Sequence, residues 1–158
     1  MLRVAIVVAS DRSASGERAD ATGPALAEAA GALPAEVIGL EVVPDERDRI
    51  AGAIIRLADS EAADIVFVAG GTGLGPRDVT PEATRAVVDR EAPGIAEAIR
   101  SRGLAVTPRA MLSRAVAGVR GRTLVVDLPG SPKGAVESLS FVRDALAHAV
   151  EIIRGGSG

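Results

Sequence analysis

The stretch DIVFVA at residues 64–69, followed at once by GGTGLGPRDVTPEAT at 70–84, decides the fold. Beyond Asp64 the run is apolar on both alternating faces, as in a strand covered on both sides within a parallel sheet. It then breaks into four glycines within six residues, so the chain must leave the sheet through a tight loop. Working outward, LRVAIVVA at 2–9 has the same two-faced pattern, and EVIGLEVV at 36–43 is a third short run rich in Val and Ile. Helical patterns lie between them. One has Ala25, Leu26 and Ala29 behind Thr22 as N-cap and Pro24 in the first turn; another has Ile50, Ile54 and Leu57 behind Asp45 as N-cap.

Downstream, Thr80 is the expected N-cap of a helix with Pro81 at its first position, and Pro93-Gly94 opens a further helix over Ile95–Arg102. AVAGVRGRTLVVDLPG carries two apolar runs around Arg120-Gly121, which predicts a β-hairpin at the sheet edge. Ser131-Pro132 repeats the cap-then-proline signal before a long amphipathic helix marked by Val136, Leu139, Val142, Leu146, Val150 and Ile153. The sum is an α/β fold, three-layer and doubly wound, with a mostly parallel sheet and an antiparallel edge hairpin. A single domain is expected over 1–154, with a disordered tail at 155–158.

Composition narrows the function. The chain has 158 residues, 47% hydrophobic and 25% charged, which suits a packed globular protein. A net charge of −3 gives no footing to a general nucleic-acid or membrane-surface binder. With no cysteine, disulfides, thiolate catalysis and the usual structural zinc site are excluded. The opening MLRVAIVVAS lacks the cleavage region of a signal peptide and reads as a first strand, so the cytoplasm is the expected compartment. Phe67 and Phe141 are the only aromatic residues, so stacking cannot be the main way of holding a planar ligand.

In parallel α/β sheets ligands bind outside the carboxyl ends of the strands. Here the segments leaving those ends are Ser10-Asp11, Pro44-Asp45, Gly70–Asp78 and Leu128–Lys133, which should converge on one edge. Gly70, Gly71, Gly73 and Gly75 can bring backbone amides close to phosphate oxygens, although the spacing is neither a Walker A loop nor G-x-G-x-x-G. A tight strand-to-helix turn would use the same glycines. Arg77 can pair a phosphate in a fork, and Asp78 can hold Mg²⁺ or orient a polar group. Singly, Asp20, Asp45 and Asp78 also read as helix-terminal carboxylates. Together beside a glycine loop they suit a magnesium–nucleotide site, since Mg²⁺ favours one or two carboxylates plus substrate phosphates. Ser131 and Lys133 place a helix N-terminus and an ammonium near an anion. His148, on the last helix, reads as structural.

These motifs, with SDR at 10–12, DATGP at 20–24, VPDE at 43–46, REAPGIAEAIR at 90–100 and AMLSRAVAGVRGRTLVVDLPGSPKGA at 110–135, resemble the molybdenum cofactor biosynthesis family, in its single-domain MogA/MoaB group of molybdopterin adenylyltransferases. The resemblance implies Mg-ATP-dependent adenylylation of molybdopterin, giving adenylyl-molybdopterin and pyrophosphate. It assigns catalytic and metal-holding roles to Asp45 and Asp78. Substrate binding falls to Asp11, Asp20, Thr22, Gly70, Gly71, Thr72, Gly73, Arg77, Ser113, Gly130 and Ser131. Thr22 stands where the family usually has Ser, which keeps a hydroxyl. The resemblance also implies a homo-oligomer, a trimer or a hexamer, other molybdenum cofactor biosynthesis proteins as partners, and neither nucleic acid nor membrane. Two rival readings are a non-catalytic pterin-binding protein of the MoaB type and a small nucleotide-binding regulator on a flavodoxin-like or Rossmann-like sheet.

Overall fold

The computed structural model describes residues 1–157. Its first strand, β1 (Leu2–Ala9), is followed by a single helical turn, α1 (Asp11–Ala14), and by α2 (Thr22–Ala30). Then come β2 (Ala35–Val43), α3 (Arg47–Ile55) with a π-helical turn at Arg56–Ser60, and β3 (Ile65–Ala69). After the glycine loop lie α4 (Thr80–Val87), β4 (Arg90–Glu91), α5 (Pro93–Leu104) and a 3₁₀ turn at Pro108–Leu112. The hairpin β5 (Ala117–Arg120) and β6 (Thr123–Leu128) leads into α6 (Pro132–Ile153).

The six strands form one sheet in the order β2-β1-β3-β6-β5-β4. β1 pairs parallel to both β2 and β3, and β3 parallel to β6; β5 and β4 add the antiparallel edge. The expected hairpin is present, and outside it lies β4, two residues that the sequence pattern did not announce. The two-faced apolar runs occupy the centre. Val4, Ile6, Val8, Ile65 and Phe67 pack with Leu26, Leu139 and Leu146, on the face covered by α2 and α6. Ala5, Val7, Val66 and Val68 pack with Ile50, Ile54, Ala83 and Val87, on the face covered by α3 and α4. Each buried Val, Ile, Leu or Phe contributes roughly 1.5–3 kcal/mol, so the two layers hold the sheet between them. β2, an edge strand, is only partly buried, in keeping with its Glu36 and Glu41.

Three capping expectations fail. Helix α2 begins at Thr22 itself; the capping acceptor is Asp20, whose Oδ1 takes the amides of Thr22 at 3.0 Å and Gly23 at 3.2 Å. Asp45 does not cap α3: Glu46 is its N-cap, without a side-chain bond. Thr80 is the first residue of α4, not its cap, and its hydroxyl makes no capping bond. In each case the local signal is right to within a residue or two; the side chains of Thr22 and Asp45 make contacts elsewhere, and the hydroxyl of Thr80 has no partner. Ser131 does cap α6, accepting from Gly134 N at 3.0 Å. His148 lies exposed on α6 beside Glu151, and no helix among the described residues is long and apolar enough to cross a membrane.

A carboxyl group lies inside the sheet. Asp127 on β6 is 1% exposed, accepts from Thr84 Oγ1 at 2.6 Å and from Val116 N at 3.1 Å, and burial pushes its pKa up to about 7. Its pKa is raised on folding, so the native chain holds a proton that the unfolded chain has lost between about pH 4 and pH 7. Stability is full below that window and falls as the pH rises through it. Asp127→Asn is expected to abolish this fall, on the order of a few kcal/mol, in urea midpoints compared at pH 5 and pH 7.5.

Candidate functional site

The loops at the carboxyl ends of β1, β2, β3 and β6 meet as expected, and the glycines explain how. Gly70 has φ +100°, and a Cβ there would lie 2.3 Å from the carbonyl oxygen of Ala9. Gly71 has φ +65°, and a Cβ there would lie 2.6 Å from Thr80 Oγ1 and 3.0 Å from Asp45 Oδ1. Both conformation and space therefore demand glycine. The exit of β3 passes directly over the end of β1, and Gly130 packs against the Cα of Gly70 from the β6 side.

Carboxylates stitch these loops together. Asp11 N donates to Asp45 Oδ2 at 3.0 Å, and Asp45 N donates back to Asp11 Oδ1 at 2.9 Å, joining the β1 and β2 loops. The guanidinium of Arg77, from the β3 loop, then grips both oxygens of Asp11 at 3.0 and 2.9 Å and holds that carboxyl below its usual range. Arg77 thus spends its fork on Asp11, where the sequence pattern had offered it to a phosphate. Burial pushes Asp45 up, assisted by the carboxylates of Asp11 and Asp78 and opposed by the Asp11 amide. Asp45 Oδ1 is buried with no hydrogen-bond partner. Asp78 Oδ2 accepts from Gly75 N at 2.9 Å, closing the glycine loop on itself.

A cleft of about 610 Å³ opens above these residues. Of the residues singled out from the sequence, Asp11, Asp20, Thr22, Asp45, Gly70 and Gly71 line it, and so do Asp78, Gly130 and Ser131. Thr22 closes one end by donating its hydroxyl to Gly130 O at 2.7 Å. Thr72, Gly73 and Ser113 do not line this cleft. They line a second one of about 530 Å³, with Arg109 and Lys133, and Ser131 borders both. Arg77 lines neither, and reaches the site through Asp11.

Arg114 went unremarked in the sequence. Its Nε donates to Gly73 O at 2.8 Å, its Nη2 to Asp78 O at 2.8 Å, and its Nη1 to both carboxylate oxygens of Glu82, while its own amide bonds Thr72 O at 2.7 Å. One side chain therefore holds the loop from Gly73 to Asp78 against α4. Its position directly after Ser113 was the available signal. Among many arginines, nothing local marks it as a buttress.

An α/β protein with a glycine-lined, acidic cleft at the carboxyl edge of its sheet and a second, partly basic cleft beside it is the class that fold and site define. Over residues 5–148 the chain matches the family described as a probable molybdopterin binding domain, and it belongs to that family of molybdenum cofactor biosynthesis proteins. It is similar to a Helicobacter pylori protein named molybdopterin adenylyltransferase, at 38% identity over 98% of this chain and 89% of that one. The Escherichia coli K12 protein of the same name is 41% identical over 94% of this chain and 77% of its own. Among solved structures, the molybdopterin biosynthesis enzyme MoaB from Thermus thermophilus superposes with a TM-score of 0.93 at 52% identity, covering 98% of both chains.

Two outcomes test the architecture of the site. Gly70→Ala is expected to cost roughly 2–4 kcal/mol in chemical denaturation, because strained φ and a backbone clash coincide. Arg114→Lys, which cannot serve four acceptors from a planar fork, should speed proteolytic cleavage within residues 73–78 while the melting temperature changes little.

Proposed function

We propose that this chain is a nucleotidyltransferase that adenylylates molybdopterin with Mg-ATP, releasing pyrophosphate. The observation that carries the reading is the pairing of two clefts across Ser131 and the 70–73 loop, with Asp45 and Asp78 in the first. The relatives named molybdopterin adenylyltransferase support the same reading along nearly the whole chain.

In the reaction, a terminal phosphate oxygen of molybdopterin forms a bond to the α-phosphorus of ATP. The bond from that phosphorus to the bridging oxygen breaks, and pyrophosphate carries the electron pair away. The nucleophile is already ionised near neutral pH, so positioning and charge neutralisation matter more than a strong base. The first cleft takes the nucleotide phosphates against the bare backbone of Gly70 and Gly71, where the Gly70 amide is already given to Leu128 O at 3.0 Å and the Gly71 amide is the one to meet them. The second takes the pterin, with Thr72, Gly73 and Ser113 in its wall and Lys133 as a cation for its phosphate. Ser131, at the N-terminus of the 22-residue helix α6, stands where both ligands meet, and the positive end of the helix dipole there favours negative charge.

The residues fit a magnesium ion. Asp45 has a raised pKa and neighbouring carboxylates in Asp11 and Asp78, a build-up of negative charge that a cation at the cleft would relieve. No group of three or more acidic or histidine ligands is present among the described residues. Two carboxylates completed by substrate phosphates are the arrangement Mg²⁺ accepts most readily. Asp45 and Asp78 would hold the ion, and when bound it neutralises phosphate charge in the transition state. Asp20 and Thr22 shape the end of the cleft, and Asp11 and Arg77 keep Asp45 in place. The reading extends to a cytoplasmic homotrimer or hexamer that acts alongside other molybdenum cofactor proteins.

Incubation with molybdopterin and Mg-ATP is expected to release pyrophosphate only when both substrates are present. Binding of molybdopterin without release would point to the non-catalytic pterin-binding protein. Asp78→Asn keeps an acceptor for Gly75 N, so it should fold normally while losing roughly 10²-fold or more in turnover. Turnover like that of the wild type would remove Asp78 from the chemistry.

A further inference from the structure

Two buried side-chain oxygens in the described part of the molecule lack any hydrogen-bond partner, Asp45 Oδ1 and Thr80 Oγ1. They lie together. A Cβ on Gly71 would sit 3.0 Å from the first and 2.6 Å from the second, so both face the same bare Cα. Thr80 is 0% exposed, and its amide is fixed to Gly71 O at 3.1 Å. The hydroxyl plays no part in starting α4, whose N-cap is Val79 without a side-chain bond.

An orphaned buried hydroxyl is a cost that a valine of the same shape would remove. Its retention calls for a partner, and the needs of the two oxygens are complementary. Asp45 Oδ2 already accepts from Asp11 N, which leaves Oδ1 as an acceptor without a donor. An ionised carboxylate can only accept, whereas a threonine hydroxyl can donate. Residue 71, which a Cβ would bring against both oxygens, is glycine and puts no side chain between them.

We propose that Thr80 is a positioning residue for Asp45, its hydroxyl donating to Oδ1 when the first cleft holds Mg-ATP. With Oδ2 held by Asp11 and Oδ1 by Thr80, the plane of the carboxylate is fixed where it must bear on the cation. A hydroxyl-to-carboxylate bond is short and charge-assisted, so it suits this task better than a neutral contact. The inference rests on the role given above to Asp45, and it places Thr80 outside direct contact with substrate.

A double-mutant cycle of wild type, Thr80→Val, Asp45→Asn and the double variant tests it, with Thr80→Ser as the conservative control. Mg-ATP affinity is read by calorimetry beside turnover and melting temperature. Thr80→Val is expected to weaken Mg-ATP binding about fivefold and to lower kcat about tenfold, while the melting temperature holds or rises. Thr80→Ser should stay within about twofold of wild type, and in the Asp45→Asn background Thr80→Val should add less than about twofold. Additive effects, or unchanged binding and turnover in Thr80→Val, would overturn the proposal. So would a fall in melting temperature shared by Thr80→Ser, since the hydroxyl would then be structural. Wild-type protein that binds Mg-ATP without turnover would remove the adenylyl-transfer reading alone, leaving the binding cycle to decide Thr80. Wild-type protein that does not bind Mg-ATP would overturn both.

Discussion

Two successive glycines with positive φ, Gly70 and Gly71, are the constraint on which the site depends. The β3 strand ends in the middle of the sheet with neighbours on both sides, so its exit has to clear the ends of β1 and β6. Without side chains at 70 and 71 the backbone passes within van der Waals reach of Ala9, Thr80 and Gly130. That passage brings Asp45 and Asp78 to the same cleft and separates Thr72 and Gly73 into the next. Any Cβ here would push apart the loops whose convergence makes the site.

Around this crossing the loops are fixed by charge as well as by packing. Asp11 and Asp45 exchange amide bonds, Arg77 closes over Asp11, and Arg114 fastens the far end of the glycine loop to Glu82. The Arg77–Asp11 pair lies on the surface, where screening leaves such contacts worth little on their own. Its value is geometric: it sets where Asp45 can point. Asp45 is by contrast partly buried and under-satisfied, a condition rare enough in proteins to mark the residue for function.

Much of this was legible in the sequence because burial on two faces leaves a distinctive apolar run. LRVAIVVA and DIVFVA gave the central strands, and the rule that ligands gather at the carboxyl ends of parallel strands brought Asp11, Asp45, Gly70 and Ser131 together. Other features turned on contacts across long separations. Thr22, Asp45 and Thr80 each look like a helix cap, yet Thr22 binds Gly130 O, 108 residues away, and Asp45 binds the loop of Asp11. Arg114 could not be told from its many fellow arginines, since its four acceptors come from a loop 36 to 41 residues earlier and from α4. The division of the site into two clefts was also out of reach, because Thr72 and Gly71 are neighbours in sequence and part only in space.

The Arg114 buttress has a consequence for how this fold can change over evolutionary time. The same guanidinium supports Gly73, which borders the second cleft, and Asp78, which borders the first. A residue inserted or deleted between them would shift both walls at once. Loops are ordinarily the part of a protein most open to changes in length, but this one is tied at both ends to one side chain. The two pockets are thus inherited as a unit, and a new specificity in either must come from exchanging side chains at constant loop length.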